Sequence, residues 1–393
     1  MTQQALIAGV GMIPFVKPGR SDPYHVMGAR AIRLALEDAG LDYAKVEQAY
    51  AGYVYGDSTC GQNALYQVGM TGIPVINVNN NCSTGSSALY LARQAVESGM
   101  VDCALAVGFE QMVPGALTTQ FTDRPSPLDE FVHVAQELKP APDAPMAPHV
   151  FGTAGAEYME KTGAKPETFA KIAVKARRHA AHNEKAIFRD PVTVEQVLAS
   201  PVIFGPMTRL QCCPPTCGAA AAIVVSPAFA KKHGLKADVA ILAQAMTTDF
   251  PSTFRDHSMI KTVGYDMAKA AARQVYEKAG VDPMDVRVCE LHDCFTANEV
   301  LSYEALGLAP EGGAEQFIED GDNTYGGRVV TNPSGGLLAK GHPLGATGLA
   351  QCTELVQQLR GQCGPRQVEG ANIALQHNLG LGGACVVTLY GRT

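Results

Sequence analysis

The sequence predicts an α/β fold made of two duplicated halves with a loop domain inserted between them. Three observations carry this. Segments 31–42 and 271–282 share Ala31/Ala271, Arg33/Arg273, Glu37/Glu277, Ala39/Ala279, Gly40/Gly280 and Asp42/Asp282, six identities in twelve positions at an offset of 240. Segment 82–89 aligns with 342–349 at an offset of 260, through Gly85/Gly345 and Leu89/Leu349. Between the two halves, residues 115–235 break the pattern. The expected organisation is 1–114 plus 236–260 for the N-terminal half, 115–235 for the inserted loop domain and 261–393 for the C-terminal half.

In chain order, 5–15 reads as a buried strand and turn, cut by Gly9, Gly11 and Pro14. Segment 24–39 has helical apolar spacing and stops at Gly40, and 266–279 repeats this before Gly280. Residues 85–97 and 345–359 read as small-residue helices, expected to pack closely at the centre and to bring Cys82 and His342 face to face. The Pro-, Asp- and Thr-rich stretch 118–148 reads as extended loop. Helical spacing returns over 151–181, with a basic face of Lys171, Lys175, Arg177 and Arg178 that is either solvated or a phosphate contact. Residues 286–289 read as strand, and 374–383 as a strand running into a glycine turn.

Composition narrows the function. Glycine supplies 40 of 393 residues against a usual ~7%, and charged residues 18% against a usual ~25%, which suggests tight turns and a covered, oligomeric surface. Disorder is excluded by the low charge. A net charge of −7 without a basic run argues against nucleic acid. No apolar run approaches the ~20 residues of a membrane span, and the N-terminus lacks a signal peptide's basic region. Eleven irregularly spaced cysteines do not make a disulfide framework, so reduced thiols and a cytoplasmic location are expected. Gly9-Val10-Gly11 lacks the third glycine of a dinucleotide fingerprint, and there is neither a phosphate loop nor a Gly-x-Ser-x-Gly elbow. Cys212, Cys213 and Cys217 lack the partners of a zinc site, and no metal is expected.

Four groups are candidates for chemistry. Cys82 follows Asn79-Asn80-Asn81 at an expected helix N-terminus, where the helix dipole favours a thiolate; the alternative is a space-filling cysteine. His342, between Gly341 and Pro343, could abstract a thiol proton or donate to an oxyanion, or merely cap its helix. Strand alternation would put His292 and Cys294 on one face and Asp293 on the other, an acid/base pair or a satisfied core. His377 reads as structural, and the glycine turn beginning at Gly380 lets backbone N–H groups approach a ligand.

Together, the motifs Asn79-Asn80-Asn81-Cys82-Ser83-Thr84-Gly85, His292-Asp293-Cys294-Phe295, Asn332-Pro333-Ser334-Gly335-Gly336 and Gly341-His342-Pro343 resemble the thiolase superfamily, and within it the sterol-carrier-protein-2 type. Phe151-Gly152 and Leu210-Gln211-Cys212-Cys213-Pro214 are similar to that type's loop domain. The resemblance implies two βαβαβαββ halves stacked in five α-β-α-β-α layers, and a homodimer. It implies an acetyl-CoA C-acyltransferase of lipid metabolism and fatty acid β-oxidation, which cleaves 3-oxoacyl-CoA with CoA or runs the reverse Claisen condensation to it from acetyl-CoA. Coenzyme A and acyl-CoA are then substrates, with no tightly bound cofactor. Residue by residue, Cys82 becomes the acylated nucleophile and His342 its base. His292 and His342 bind the thioester oxygen, and Cys294 moves protons at the enolate and at CoA. The N–H groups of Cys82 and Gly380 form a second oxyanion hole.

Three departures stand out. Asn378-Leu379-Gly380 replaces the family's usual Cys-x-Gly, leaving the acid/base thiol to Cys294. Cys217 stands where aspartate is usual. The chain ends at Thr393, from which no appended lipid-carrying domain and no peroxisomal signal are expected. The competing expectations are a decarboxylating ketosynthase-like enzyme, which needs no Cys294, and an acyl-CoA retro-aldolase or carrier relative acting with a small partner protein.

Overall fold

A computed structural model describes residues 3–115, 117 and 121–393. Its strands are β1 (Leu6–Met12), β2 (Gln48–Gly52), β3 (Val75–Val78), β4 (Cys103–Glu110), β5 (Val202–Phe204), β6 (Met207–Thr208), β7 (Gly218–Val225), β8 (Val239–Thr247), β9 (Val288–Glu290), β10 (Val330–Thr331), β11 (Ile373–Gly380) and β12 (Ala384–Arg392). Ten of them hydrogen-bond in the order β10-β9-β11-β12-β8-β1-β7-β4-β2-β3, while β5 and β6 form a separate hairpin.

The duplication is visible in this order. The seam is the short antiparallel contact of β1 with β8, Leu6↔Ala240 and Ile7↔Val239. Outward from it run β1-β7-β4-β2-β3 on one side and β8-β12-β11-β9-β10 on the other. Each half has the same parallel pairs around its second strand, and its fifth strand is antiparallel to both neighbours. Helix Tyr24–Ala39 ends at Gly40 with φ +64°, and helix Tyr265–Ala279 ends at Gly280 with φ +63°, the left-handed cap that glycine adopts without a Cβ clash.

Strand pairing moves two expected boundaries. Residues 218–225, placed in the inserted segment from sequence, form β7 between β1 and β4. Residues 239–247, placed in the N-terminal half, form β8, registered on β12 from Thr247↔Cys385 to Val239↔Arg392. The reason is burial on both faces. In β7, Ala220, Ala222 and Val224 pack with Ala88 and Leu89, while Ala219, Ala221, Ile223 and Val225 pack with Met27 and Ala31. A central strand covered on both sides reads as a continuous apolar run without alternation.

Helices Thr84–Glu97 and Thr347–Leu359 each contact both halves of the sheet and form the middle of five α-β-α-β-α layers. Their contact is backbone to backbone. A Cβ on Gly348 would lie 2.1 Å from Ser86 Oγ, and one on Gly85 would lie 2.7 Å from the Gly345 carbonyl. Outside these layers, the single helical run expected over 151–181 is two helices, Met146–Thr162 and Pro166–Ala180. Gly163 at φ +76° ends the first, and Pro166 opens the second. The stretch read as extended, 118–148, contains helix Asp129–Leu138, whose Phe131, Val134 and Ala135 face the core; residues 118–120 lie outside the described ones. Among the described residues no helix is long and apolar enough to cross a membrane.

Candidate active site

The turn after β3 accounts for its run of asparagines. Asn81 has φ +50°, a backbone state costly for most residues but tolerated by Asn. Its side chain donates to the Leu381 carbonyl at 2.9 Å. The Asn80 N–H donates to Thr84 Oγ1 at 2.8 Å, and Ser83 N–H to the Asn80 carbonyl at 3.1 Å. This places Cys82 one residue ahead of the cap of helix Thr84–Glu97. The helix dipole does not win there. Burial, and after it the charge of Glu110, push the Cys82 thiol up to about 12, contrary to the expected depression. The resting group is a thiol, so attack by sulfur needs a base.

His342 is that base by position and by tautomer. It lies four residues before the cap of helix Thr347–Leu359, so it is less close to its helix than Cys82 is to its own. Its N–H donates to Thr216 Oγ1. Ring Nδ1 lies 2.6 Å from Thr347 Oγ1, whose own hydroxyl donates to the Pro343 carbonyl at 3.0 Å. With the hydroxyl donating to that carbonyl, Thr347 accepts from Nδ1–H and leaves Nε2 bare, and among the described residues Nε2 has no protein partner. Burial pushes the imidazole down to about 3, which keeps it neutral and able to accept a proton.

His292 completes the cluster. The donor atoms of Cys82, His292 and His342 lie within 4.8 Å of one another. The two rings meet edge to face, 5.1 Å between centroids. Among the described residues this is the one grouping near enough to share a metal ion, and an ion there would occupy the nucleophile and its base together. Strand β9 stops at Glu290, so 291–293 are loop, yet the expected facing holds. His292 and Cys294 line the cavity, while Asp293 turns away to accept the Leu337 N–H at 2.7 Å. Burial raises the Cys294 thiol well above its ordinary range. Gly380 abuts the Cys82 turn: a Cβ there would lie 2.3 Å from the Asn80 carbonyl. His377, on the opposite face of β11, accepts the His292 N–H at 3.4 Å, a supporting position.

Cys82, His292, Cys294 and His342 open on one apolar cavity of about 650 Å³, walled by Met112, Met146, Phe151, Leu210, Leu338 and Leu381 among others. Of the basic helix face, only Arg177 reaches it. Lys171 pairs with Glu319, Lys175 is buried against Glu299, and Arg178 donates to Thr324. Sequence reasoning missed Thr347, Ser86 and, as a polar contact of His292, Asn378. The one signal was spacing, since Gln376 and Asn378 share the face of β11 opposite His377.

Comparison with known proteins identifies the family and the fold. The family description "Thiolase, N-terminal domain" matches residues 5–227, and "Thiolase C-terminal domain-like" matches 252–390. Sterol carrier protein 2 of Oryctolagus cuniculus is 56% identical over 391 residues, covering 98% of this chain and 72% of that protein. Benzoylsuccinyl-CoA thiolase subunit BbsB of Thauera aromatica is 37% identical, covering 97% and 96%. Among solved structures, human mitochondrial 3-ketoacyl-CoA thiolase superposes with a TM-score of 0.75 at 17% identity, over 100% of this chain and 99% of that one. An Ltp2-ChsH2(DUF35) aldolase superposes with a TM-score of 0.83 at 24% identity, over 100% and 98%. At such identities the two structures speak for the fold alone.

Proposed function

The chain belongs to the thiolase family and is a thiolase-type acyltransferase, and on that premise we propose that it cleaves 3-oxoacyl-CoA with CoA through an acyl-Cys82 intermediate, or runs the reverse condensation. The observation that carries this assignment of roles is the Cys82–His292–His342 cluster, with Cys294 on the wall of the same cavity.

His342 Nε2 takes the Cys82 proton, and the sulfur attacks the 3-keto carbon. The N–H groups of Cys82 and Gly380 receive the resulting oxyanion. The C2–C3 bond then breaks, leaving the acyl group on Cys82 and the electron pair on the acetyl-CoA enolate. The protonated His342 Nε2, now a donor, and His292 hold the thioester oxygen as charge builds there. Such preorganised donors are each worth on the order of 10²–10³ in rate. Cys294 gives its proton to C2, then recovers one from incoming CoA, whose thiolate takes the acyl group. The departing Cys82 sulfur regains its proton from His342, and every group ends as it began. The apolar cavity suits the acyl chain, and Arg177 at its wall suits a CoA phosphate.

A homodimer is part of the proposal. Edge strand β3 is open, its Val75 and Ile76 half-buried, and Tyr66 and Met70 are exposed in the segment leading to it. All eleven cysteines are unpaired, in keeping with a reducing cytoplasm. Participation in β-oxidation belongs to the same reading and is carried by the resemblance; assembly with a small partner protein belongs to the competing retro-aldolase reading, against which Cys82 weighs. The test of the chemistry is incubation with a 3-oxoacyl-CoA followed by peptide mass spectrometry. An acyl adduct on Cys82, absent in C82A, is expected; its absence in the wild-type protein overturns the covalent route. C294A should lose turnover, and retention of full activity would instead favour a decarboxylating enzyme.

A further inference from the structure

The position where most relatives were expected to carry a cysteine holds Asn378, and its contacts determine more than packing. The Asn378 amide nitrogen Nδ2 lies 3.1 Å from the Cys82 carbonyl oxygen and 3.1 Å from His292 Nδ1. A carbonyl oxygen can only accept, so the atom facing it is the NH2 group. The other end agrees: Asn378 Oδ1 accepts from Ser86 Oγ at 2.8 Å. Ser86 Oγ in turn accepts from Gln376 Nε2 at 2.8 Å, which leaves its own hydrogen for Asn378. Tyr390 donates to Gln376 Oε1 and so fixes that amide as well. The chain Tyr390–Gln376–Ser86–Asn378 is buried throughout and admits one orientation of each group. One hydrogen of Asn378 Nδ2 goes to the Cys82 carbonyl, and the other goes to His292 Nδ1.

An Nδ1 that accepts a hydrogen bond is bare, and the proton of a neutral imidazole then sits on Nε2. We propose that Asn378 is a positioning residue that fixes His292 in the Nε2–H tautomer, making it a hydrogen-bond donor toward the reacting thioester. The two histidines of the cluster thereby hold opposite tautomers. Thr347 leaves His342 Nε2 bare to take the Cys82 proton, while Asn378 leaves His292 Nε2 protonated to receive the enolate oxygen. The titratable groups that face His292 are His342, His377 and Cys82, while the hydrogen-bond partner of its Nδ1 is the Asn378 amide. The same amide also donates to the carbonyl of Cys82, but that turn is held independently by the Ser83 and Thr84 N–H groups donating to the Asn80 and Asn81 carbonyls. This inference rests on the thiolase reading for its meaning, although not for the tautomer itself.

The tautomer can be read on the wild-type protein. A long-range ¹H–¹⁵N spectrum of histidine-labelled protein, with His292 assigned by the signals lost in H292Q, should show Nε2 bearing hydrogen and Nδ1 bare. The reverse overturns the proposal. For the consequence, N378L removes the donor while keeping the side chain's shape. Exchange of the acetyl-CoA methyl protons in D2O, which depends on the enolate oxygen being held, should fall about 10- to 100-fold. Alkylation of Cys82 by iodoacetamide, which depends on His342, should stay within about twofold. A parallel fall in both rates, or none in exchange, refutes a positioning role. N378D places an acceptor at Nδ1, so exchange should survive at low pH, where His292 is an imidazolium. It should be lost as pH rises and Nε2 is left bare, an alkaline limb absent from the wild-type profile; a profile shaped like wild type refutes the proposal. Absence of exchange in the wild-type protein would instead count against the thiolase reading.

Discussion

Removing the Thr347 hydroxyl tests whether a single hydrogen bond arms the nucleophile. In T347V the β-branched shape is kept, and the Pro343 carbonyl retains the N–H groups of Ala346 and Thr347. His342 Nδ1–H alone loses its acceptor, at 2.6 Å in the wild-type protein. A buried donor left without a partner costs about 1–3 kcal/mol. The ring escapes that cost by moving its proton to Nε2, the atom that has to be bare to take the Cys82 proton. At about 1.4 kcal/mol per tenfold, the base-competent population falls about 5- to 150-fold. The fall should appear equally in iodoacetamide alkylation of Cys82 and in the burst of acyl-Cys82 formation. T347S, which keeps the hydroxyl, should recover most of it. The reasoning fails if T347V alkylates at the wild-type rate, or if T347S is impaired as much as T347V.

Three further outcomes follow from other contacts. G348A puts a methyl 2.1 Å from Ser86 Oγ and 2.4 Å from Ser86 N, between the central helices, and should lower stability by about 2–3 kcal/mol or more in urea unfolding; an unchanged midpoint refutes that packing. His179 donates Nδ1–H to the Asn332 carbonyl at 3.1 Å, and burial and the Lys175 charge push it down to about 3. Below about pH 6.5 the unfolded chain gains a proton there that the folded chain refuses, so this histidine's contribution is lost as pH falls, by up to about 1.4 kcal/mol per pH unit. The stability difference between wild type and H179Q should therefore shrink from pH 6.5 towards 4, and a constant difference contradicts the burial of a neutral ring. R177A should raise KM for acyl-CoA about tenfold with kcat changed less than threefold, and more at low salt; an unchanged KM removes Arg177 from the binding surface.

Much of this is legible in the sequence, for identifiable reasons. Glycine caps at Gly40 and Gly280 and apolar spacing define both outer helices, since local periodicity and left-handed caps are written within a few residues. Cys82, His292, Cys294 and His342 stood out because each sits in a constrained local setting. Strands β7 and β8 were misplaced for the opposite reason. A strand buried on both faces shows no alternation, and which neighbour it joins depends on residues more than a hundred positions away.

The sequence by itself determined that the chain is duplicated, that its two outer helices stop at Gly40 and Gly280, and which few side chains could do chemistry. It also carried the misleading hint that a helix N-terminus would lower the Cys82 pKa. Only the tertiary structure decided the protonation of those side chains. The burial that pushes Cys82 up and His342 down exists only in the folded protein. The proton position on each histidine depends on one contact made inside that core, Thr347 to His342 and Asn378 to His292. Residue types can be read along a chain, but a proton settles according to which donor and acceptor meet where water is excluded, and that meeting exists only in the folded core.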